Sequence, residues 1–202
     1  MGYEWRKITD KERIELLDWR RRQNYPWHSP QHMVSHAGRY HLTAACYEHA
    51  PFIGCNEERL KTFSIAFLEC LKEANVKIHA WCLLPNHYHL LVGEADLIDV
   101  LERLKSLHGR SALDWNLEDE REGRKVWSKV VDRMIRGERH FWSTLNYVHN
   151  NPVRHGYVSK WQDWPFSSAH AYLQEMGRAE VLRIWDEYPV LDYGKGWDEP
   201  EM

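Results

Sequence analysis

Residues 81–92, Trp-Cys-Leu-Leu-Pro-Asn-His-Tyr-His-Leu-Leu-Val, set two histidines around one bulky residue inside an apolar run. In a strand, alternate side chains share a face, so His87 and His89 point the same way, roughly 7 Å apart along the chain. That separation lets two imidazoles converge on one metal ion, for which neutral imidazole is a common ligand. The same pattern also describes two polar residues satisfied by ordinary hydrogen bonds. A second cluster lies in 138–151, where His140, Thr144, Tyr147 and Asn151 form a polar stripe at i, i+4, i+7 and i+11 of a helix. A tyrosine hydroxyl can act as a covalent nucleophile, but it is weak at its ordinary pKa of about 10 and needs help. A metal that polarises the electrophile is one form of help. The Asn151 carbonyl oxygen, one turn away, suits a hard divalent ion beside two imidazoles. The spacing also fits a half-exposed tyrosine followed by an asparagine C-cap.

The elements that must position these residues follow from periodicity. Thr9 and Glu12 form a capping-box pattern for a helix over 9–23, with Ile14, Leu16 and Leu17 apolar. Its terminal Arg20, Arg21 and Arg22 are either a solvated end that complements the helix dipole or a phosphate contact. Residues 24–38, with Pro26, Pro30 and Gly38, read as an irregular arm. Residues 39–47 read as the first strand. Asn56 caps a helix over 57–73, with Leu60, Phe63, Phe67, Leu68 and Leu71 inward. Pro85-Asn86 suits a tight turn, which makes 76–84 and 87–92 a hairpin. A helix over 95–107 turns Leu97, Leu101 and Leu104 inward, 109–123 reads as a polar excursion, and 124–135 reads as a further strand. Phe141, Leu145 and Val148 seat the 138–151 helix, which Pro152 stops. After a turn at Trp164-Pro165, a short helix begins near Ser167 or Ser168. The order predicts an α+β fold, a ferredoxin-like antiparallel sheet with helices packed on it. Around a core domain at 39–160 stand an N-terminal helix and arm (1–38) and a C-terminal segment with an acidic tail (161–202).

The chain of 202 residues is 43% apolar and aromatic-rich, with eleven Trp, ten Tyr and five Phe that serve the core or offer stacking surfaces for bases. A net charge of −3 argues against an all-over basic nucleic-acid coat and leaves room for a local groove. Residues 121–160 supply one, with nine Lys and Arg against three acidic residues, a balance of +6. Residues 175–202 carry a balance of −5 and either cover that stretch as a DNA mimic or form an edge-packed, solvated tail. Four cysteines without zinc spacing read as reduced thiols in a cytoplasmic protein. No apolar run approaches twenty residues, so no membrane partner is expected.

Pro85-Asn86-His87-Tyr88-His89-Leu90-Leu91-Val92 resembles the histidine–hydrophobic–histidine (HUH) motif of single-strand-DNA transposases with one catalytic tyrosine. Tyr147-Val148-His149-Asn150-Asn151-Pro152-Val153-Arg154 resembles their tyrosine motif. Asp163-Trp164-Pro165-Phe166-Ser167-Ser168, followed by Ala171-Tyr172-Leu173, looks like the segment that follows it in the REP-associated, IS200-like tyrosine transposases. The resemblance implies His87, His89 and Asn151 as ligands of Mg²⁺ or Mn²⁺. It implies Tyr147 as a nucleophile that leaves a 5′-phosphotyrosine and a free 3′-OH, and it assigns no chemistry to His149 or Asn150. The expected activity is that of a single-stranded DNA endonuclease and strand transferase on hairpin DNA, as monomer or homodimer. Its expected DNA contacts are Arg20, Arg21, Arg22, Arg124, Lys125, Lys129, Arg133, Arg136, Arg139 and Arg154. The alternatives are a non-catalytic nucleic-acid-binding protein and a nuclease that uses water in place of Tyr147.

Overall fold

Four strands, β1 (Gly38–Ala45), β2 (Lys77–Leu83), β3 (His87–Ala95) and β4 (Val131–Met134), make one sheet in the order β2-β3-β1-β4. Every neighbouring pair is antiparallel. Helix α1 (Glu57–Glu73) joins β1 to β2 and α2 (Leu97–Glu118) joins β3 to β4. This is the ferredoxin-like α+β arrangement that the element order predicts. Helices α3 (Glu138–Arg154), α4 (Ala169–Met176) and α5 (Arg178–Glu187) follow. The computed structural model describes residues 38–194 together with Thr9, Lys11, Ile14, Glu15, Asp18 and Arg22. The chain divides into two units, 1–35 and 36–202. In the first, Lys11, Ile14, Glu15, Asp18 and Arg22 are helical, and Arg22 Nε donates to Asp18 O at 3.4 Å. Arg20, Arg21 and the arm up to residue 37 lie outside the described residues.

Alternation along the central strand sends successive side chains to different layers. Tyr88 points toward α1 and α2, its ring 4.9 Å from Phe67 and its hydroxyl 3.0 Å from His108 Nε2. Leu91 points the other way, into a cluster with Ala80 and Cys82 of β2 and Phe141, Leu145 and Val148 of α3. His87 and His89 share the parity of Leu91, so the apolar side of α3 lands on the face that carries both histidines. Asn56 caps α1 as predicted, its Oδ1 accepting from Arg59 N at 2.8 Å, while Leu68 is only half-buried.

Several boundaries differ from the sequence expectations. Helix α2 continues to Glu118, through most of the stretch read as a polar excursion, because His108, Ser111 and Trp115 extend its buried face beyond Leu104. Small and polar residues hide that continuation: Ser111 Oγ bonds Leu107 O at 2.9 Å and receives Trp127 Nε1 at 3.0 Å. The strand expected at 124–135 shrinks to Val131–Met134, since Trp127 is held by stacking on His108 at 4.0 Å and meets Cys46 in an isolated bridge. The first strand ends at Ala45, and Tyr47–His49 is a 3-10 turn. Pro152 lies inside the last turn of α3, where it withholds one amide; His155 N to Asn151 O and Gly156 N to Val153 O, both 3.0 Å, close the end. The C-terminal segment is more than an edge-packed tail: α5 buries Val181 and Ile184, and Val181 belongs to the α3 cluster. All four cysteines are free thiols, and among the described residues no helix is long and apolar enough to cross a membrane.

Candidate functional site

The turn before β3 fixes the first imidazole. Asn86 Nδ2 donates to His49 O at 3.1 Å, which sets the amide orientation, and Asn86 Oδ1 then accepts from His87 Nδ1 at 2.7 Å. The remaining lone pair of a neutral His87 is on Nε2, and it faces Oδ1 of Asn151 across 3.1 Å. His89 is fixed through its Nδ1, 3.0 Å from Thr43 Oγ1 and 3.2 Å from His41 Nε2, both on β1. Its Nε2 is buried on the opposite edge of the ring. The two rings lie 5.0 Å apart.

Helix α3 brings the second motif to the same point. The Tyr147 ring lies 5.1 Å from His89 and 5.9 Å from His41, and the Arg154 guanidinium sits 5.8 Å from its centre. Two imidazoles, each oriented through its Nδ1, and the Asn151 amide oxygen beside His87 form a donor set that fits a divalent cation. His87, His89, Tyr147 and Asn151 are thus gathered in one place within a single chain.

The rest of the predicted stripe does not reach it. His140 lies two turns toward the start of α3, accepts from Arg136 N at 3.2 Å, and has its pKa lowered by burial and by Arg133 and Arg136. Thr144 donates to His140 O at 2.7 Å and accepts from the Tyr193 hydroxyl. His149 faces away, its Nε2 2.9 Å from Ser168 Oγ; burial lowers its pKa to about 3, which keeps it neutral. Its role is to pin the Ser167-Ser168 segment, whose Ser168 Oγ also accepts from Trp81 N at 2.9 Å.

The C-terminal segment closes over the tyrosine. The Tyr193 ring lies 5.6 Å from Tyr147, and Arg154 Nη1 donates to Tyr193 O at 3.3 Å. A Cβ on Gly194 would fall 2.3 Å from Tyr147 Cε2, so only glycine lets the backbone pass this close. Upstream, Asn146 Nδ2 holds Tyr188 O at 2.9 Å. Tyr147 is consequently 1% exposed.

The predicted basic contacts divide by environment. Arg154 touches the site. Arg124 is engaged in structure: Nε bonds Asn116 Oδ1 at 2.9 Å and Nη2 bonds Asp119 Oδ2 at 2.7 Å. Lys125 lies over the Tyr47 ring at 4.1 Å. Lys129, Arg136 and Arg139 are exposed and Arg133 is half-buried. Three residues at the site escaped the sequence reading: His41, Tyr193 and His155, whose ring is 4.9 Å from His87. His41 and Thr43 carried a signal, two polar residues at period two in an otherwise buried strand.

With fold and site in place, the class is clear: the chain belongs to the family described as "Transposase IS200 like", whose family model matches residues 34–151. It is 29% identical over 122 residues to a Haemophilus influenzae protein provisionally named a REP-associated tyrosine transposase, a match covering 55% of this chain and 69% of the relative. It is 27% identical over 108 residues to the REP-associated tyrosine transposase of Escherichia coli, covering 52% of this chain and 61% of that one. A solved REP-associated tyrosine transposase bound to a REP hairpin shares the fold, with a TM-score of 0.57 and 19% identity over 75% of this chain and 87% of the other.

Proposed function

We propose that this transposase-family protein cuts and rejoins single-stranded DNA through a covalent 5′-phosphotyrosine, with Mg²⁺ or Mn²⁺ held by His87, His89 and Asn151. The observation that carries the reading is the 3.1 Å approach of His87 Nε2 to Asn151, which joins the two motifs beside the Tyr147 ring. A bound divalent ion supplies polarisation of the scissile phosphate. The chain supplies the rest. Tyr147 Oη attacks phosphorus as its proton passes to solvent. The P–O3′ bond breaks, and the departing O3′ takes up a proton. Arg154 offsets negative charge at the reacting phosphate. Reversal reforms the phosphodiester without an outside energy source, because the Tyr–phosphate bond retains the energy of the one broken.

The substrate is a DNA hairpin with an adjoining unpaired stretch, a reading supported by the names of the relatives and by the hairpin bound to the solved one. The protein acts as a monomer or homodimer, and the meeting of Tyr147 with both histidines within one chain supports the monomer. The reacting unit is residues 39–160, with 161–202 attached to it, and four free thiols accord with the cytoplasm.

The test is an SDS-stable protein–DNA adduct on a hairpin oligonucleotide with an unpaired flank. The wild-type protein should form it with Mn²⁺ and not on a blunt duplex, and Tyr147→Phe should bind the same DNA but form none. Undiminished cleavage by Tyr147→Phe would move the reading to a water-using nuclease. Binding without any cleavage would leave a nucleic-acid-binding protein.

A further inference from the structure

A row of aromatic rings leads outward from the histidine site. His155, just past the end of α3, stands 4.9 Å from the His87 ring. Tyr157 follows at 6.4 Å from His155, Trp164 at 5.4 Å from Tyr157, and Phe166 at 5.8 Å from Trp164. Hydrogen bonds anchor the row. Gly156, at φ +74°, reverses the chain, and Tyr157 N returns to Pro152 O at 2.9 Å. Trp164 Nε1 donates to Leu83 O at 2.8 Å, and Leu83 N bonds Phe166 O at 2.9 Å. These bonds tie the row to the end of β2, next to the turn that presents His87. Tyr157 is 42% exposed, His155 is exposed, and Trp164 and Phe166 are half-buried. Trp161 and Trp185, by contrast, stack on one another at 5.2 Å against the α3 cluster.

We propose that the His155–Tyr157–Trp164–Phe166 row is a stacking platform for the unpaired bases next to the cleaved phosphate. The inference rests on the single-stranded DNA reading of the site and assigns it a base-binding surface. A strand whose phosphate sits at His87 must send its neighbouring nucleotides across the adjoining surface, and this row begins at that ring. Pinned, partly exposed aromatic faces suit bases without selecting among them, since every base offers a π face. Arg154, in the turn before His155, and exposed Lys160 add positive charge along the backbone path.

The probe is a fluorescent DNA hairpin with a four-nucleotide unpaired flank, paired with the same hairpin whose flank is abasic. Anisotropy titrations at one fixed salt concentration compare wild type with Tyr157→Ala and Phe166→Ala; Trp164 is spared because its indole bonds Leu83. Each alanine variant should weaken binding to the base-bearing flank about tenfold and leave binding to the abasic flank unchanged. Tyr157→Phe should restore wild-type affinity. Wild-type affinity of Tyr157→Ala for the base-bearing flank, with an unchanged melting temperature, would overturn the platform, as would an equal loss on both flanks. Adduct formation is read separately. An intact adduct with unaffected binding by Tyr157→Ala and Phe166→Ala removes the platform alone, whereas a wild-type protein that binds neither hairpin removes the parent reading with it.

Discussion

His87 Nε2 faces the Asn151 side chain across 3.1 Å although 64 residues separate them. That contact joins a strand of the sheet to the last turn of α3. Replacing either partner should lower Mn²⁺ affinity by more than the roughly 10–100-fold that the loss of an outer partner costs. Calorimetric titration of His87→Ala and Asn151→Leu checks this without any turnover. Affinities equal to wild type in both variants would place the ion elsewhere.

His41 should act on the site through His89. Its Nε2, 3.2 Å from His89 Nδ1, favours the tautomer that leaves His89 Nε2 for the ion. His41→Leu should weaken Mn²⁺ binding about tenfold or more, and His41→Gln, whose carbonyl can accept from Nδ1–H, should recover most of it. If both variants bind alike, His41 serves packing and not the tautomer.

The segment over Tyr147 should slow adduct formation. Tyr193→Ala removes a ring 5.6 Å from the tyrosine and the hydrogen bond to Thr144. A net hydrogen bond of about 1 kcal/mol corresponds to a roughly fivefold faster single-turnover adduct rate if the segment must lift first. A cut after Leu173 would be a poor test, because it also deletes buried Val181 and Ile184. A rate equal to wild type would mean that the segment moves freely or that Tyr147 is reached from another side.

Salt dependence should separate structural from DNA-facing arginines. Arg136→Ala and Arg139→Ala, both at exposed positions, should each reduce the log–log salt slope of single-strand binding by about 0.7. Arg124→Ala should leave the slope alone and lower the melting temperature, since its guanidinium bonds Asn116 and Asp119. A slope change confined to Arg124→Ala would invert this assignment.

Stability should fall in mild acid through His108. Burial lowers its pKa from 6.5 to about 3 in the folded chain. Below pH 6.5 the unfolded chain takes up a proton that the native site refuses, so the unfolded state binds more protons there. The stabilisation is complete above pH 6.5 and is lost as pH falls toward 3, by up to about 1.4 kcal/mol per pH unit. Urea midpoints measured from pH 7 to pH 4 should fall more steeply for wild type than for His108→Gln, and parallel profiles would contradict it.

Period and spacing alone determined the order of the elements, the shared face of His87 and His89, the cap of α1 and the apolar side of α3. These are local properties, set by a two-residue repeat in strands and a 3.6-residue repeat in helices. The same rules misjudged α2 beyond Leu107 and the strand at 124–135, where Ser111 and Trp127 are buried by partners distant in the chain. Only the tertiary structure decided that Asn151 meets His87, that His41 stands behind His89, and that Tyr193 and Gly194 lie over Tyr147. Each of those is a contact between residues dozens of positions apart. Its formation depends on how helices dock on the sheet, which a local pattern does not specify.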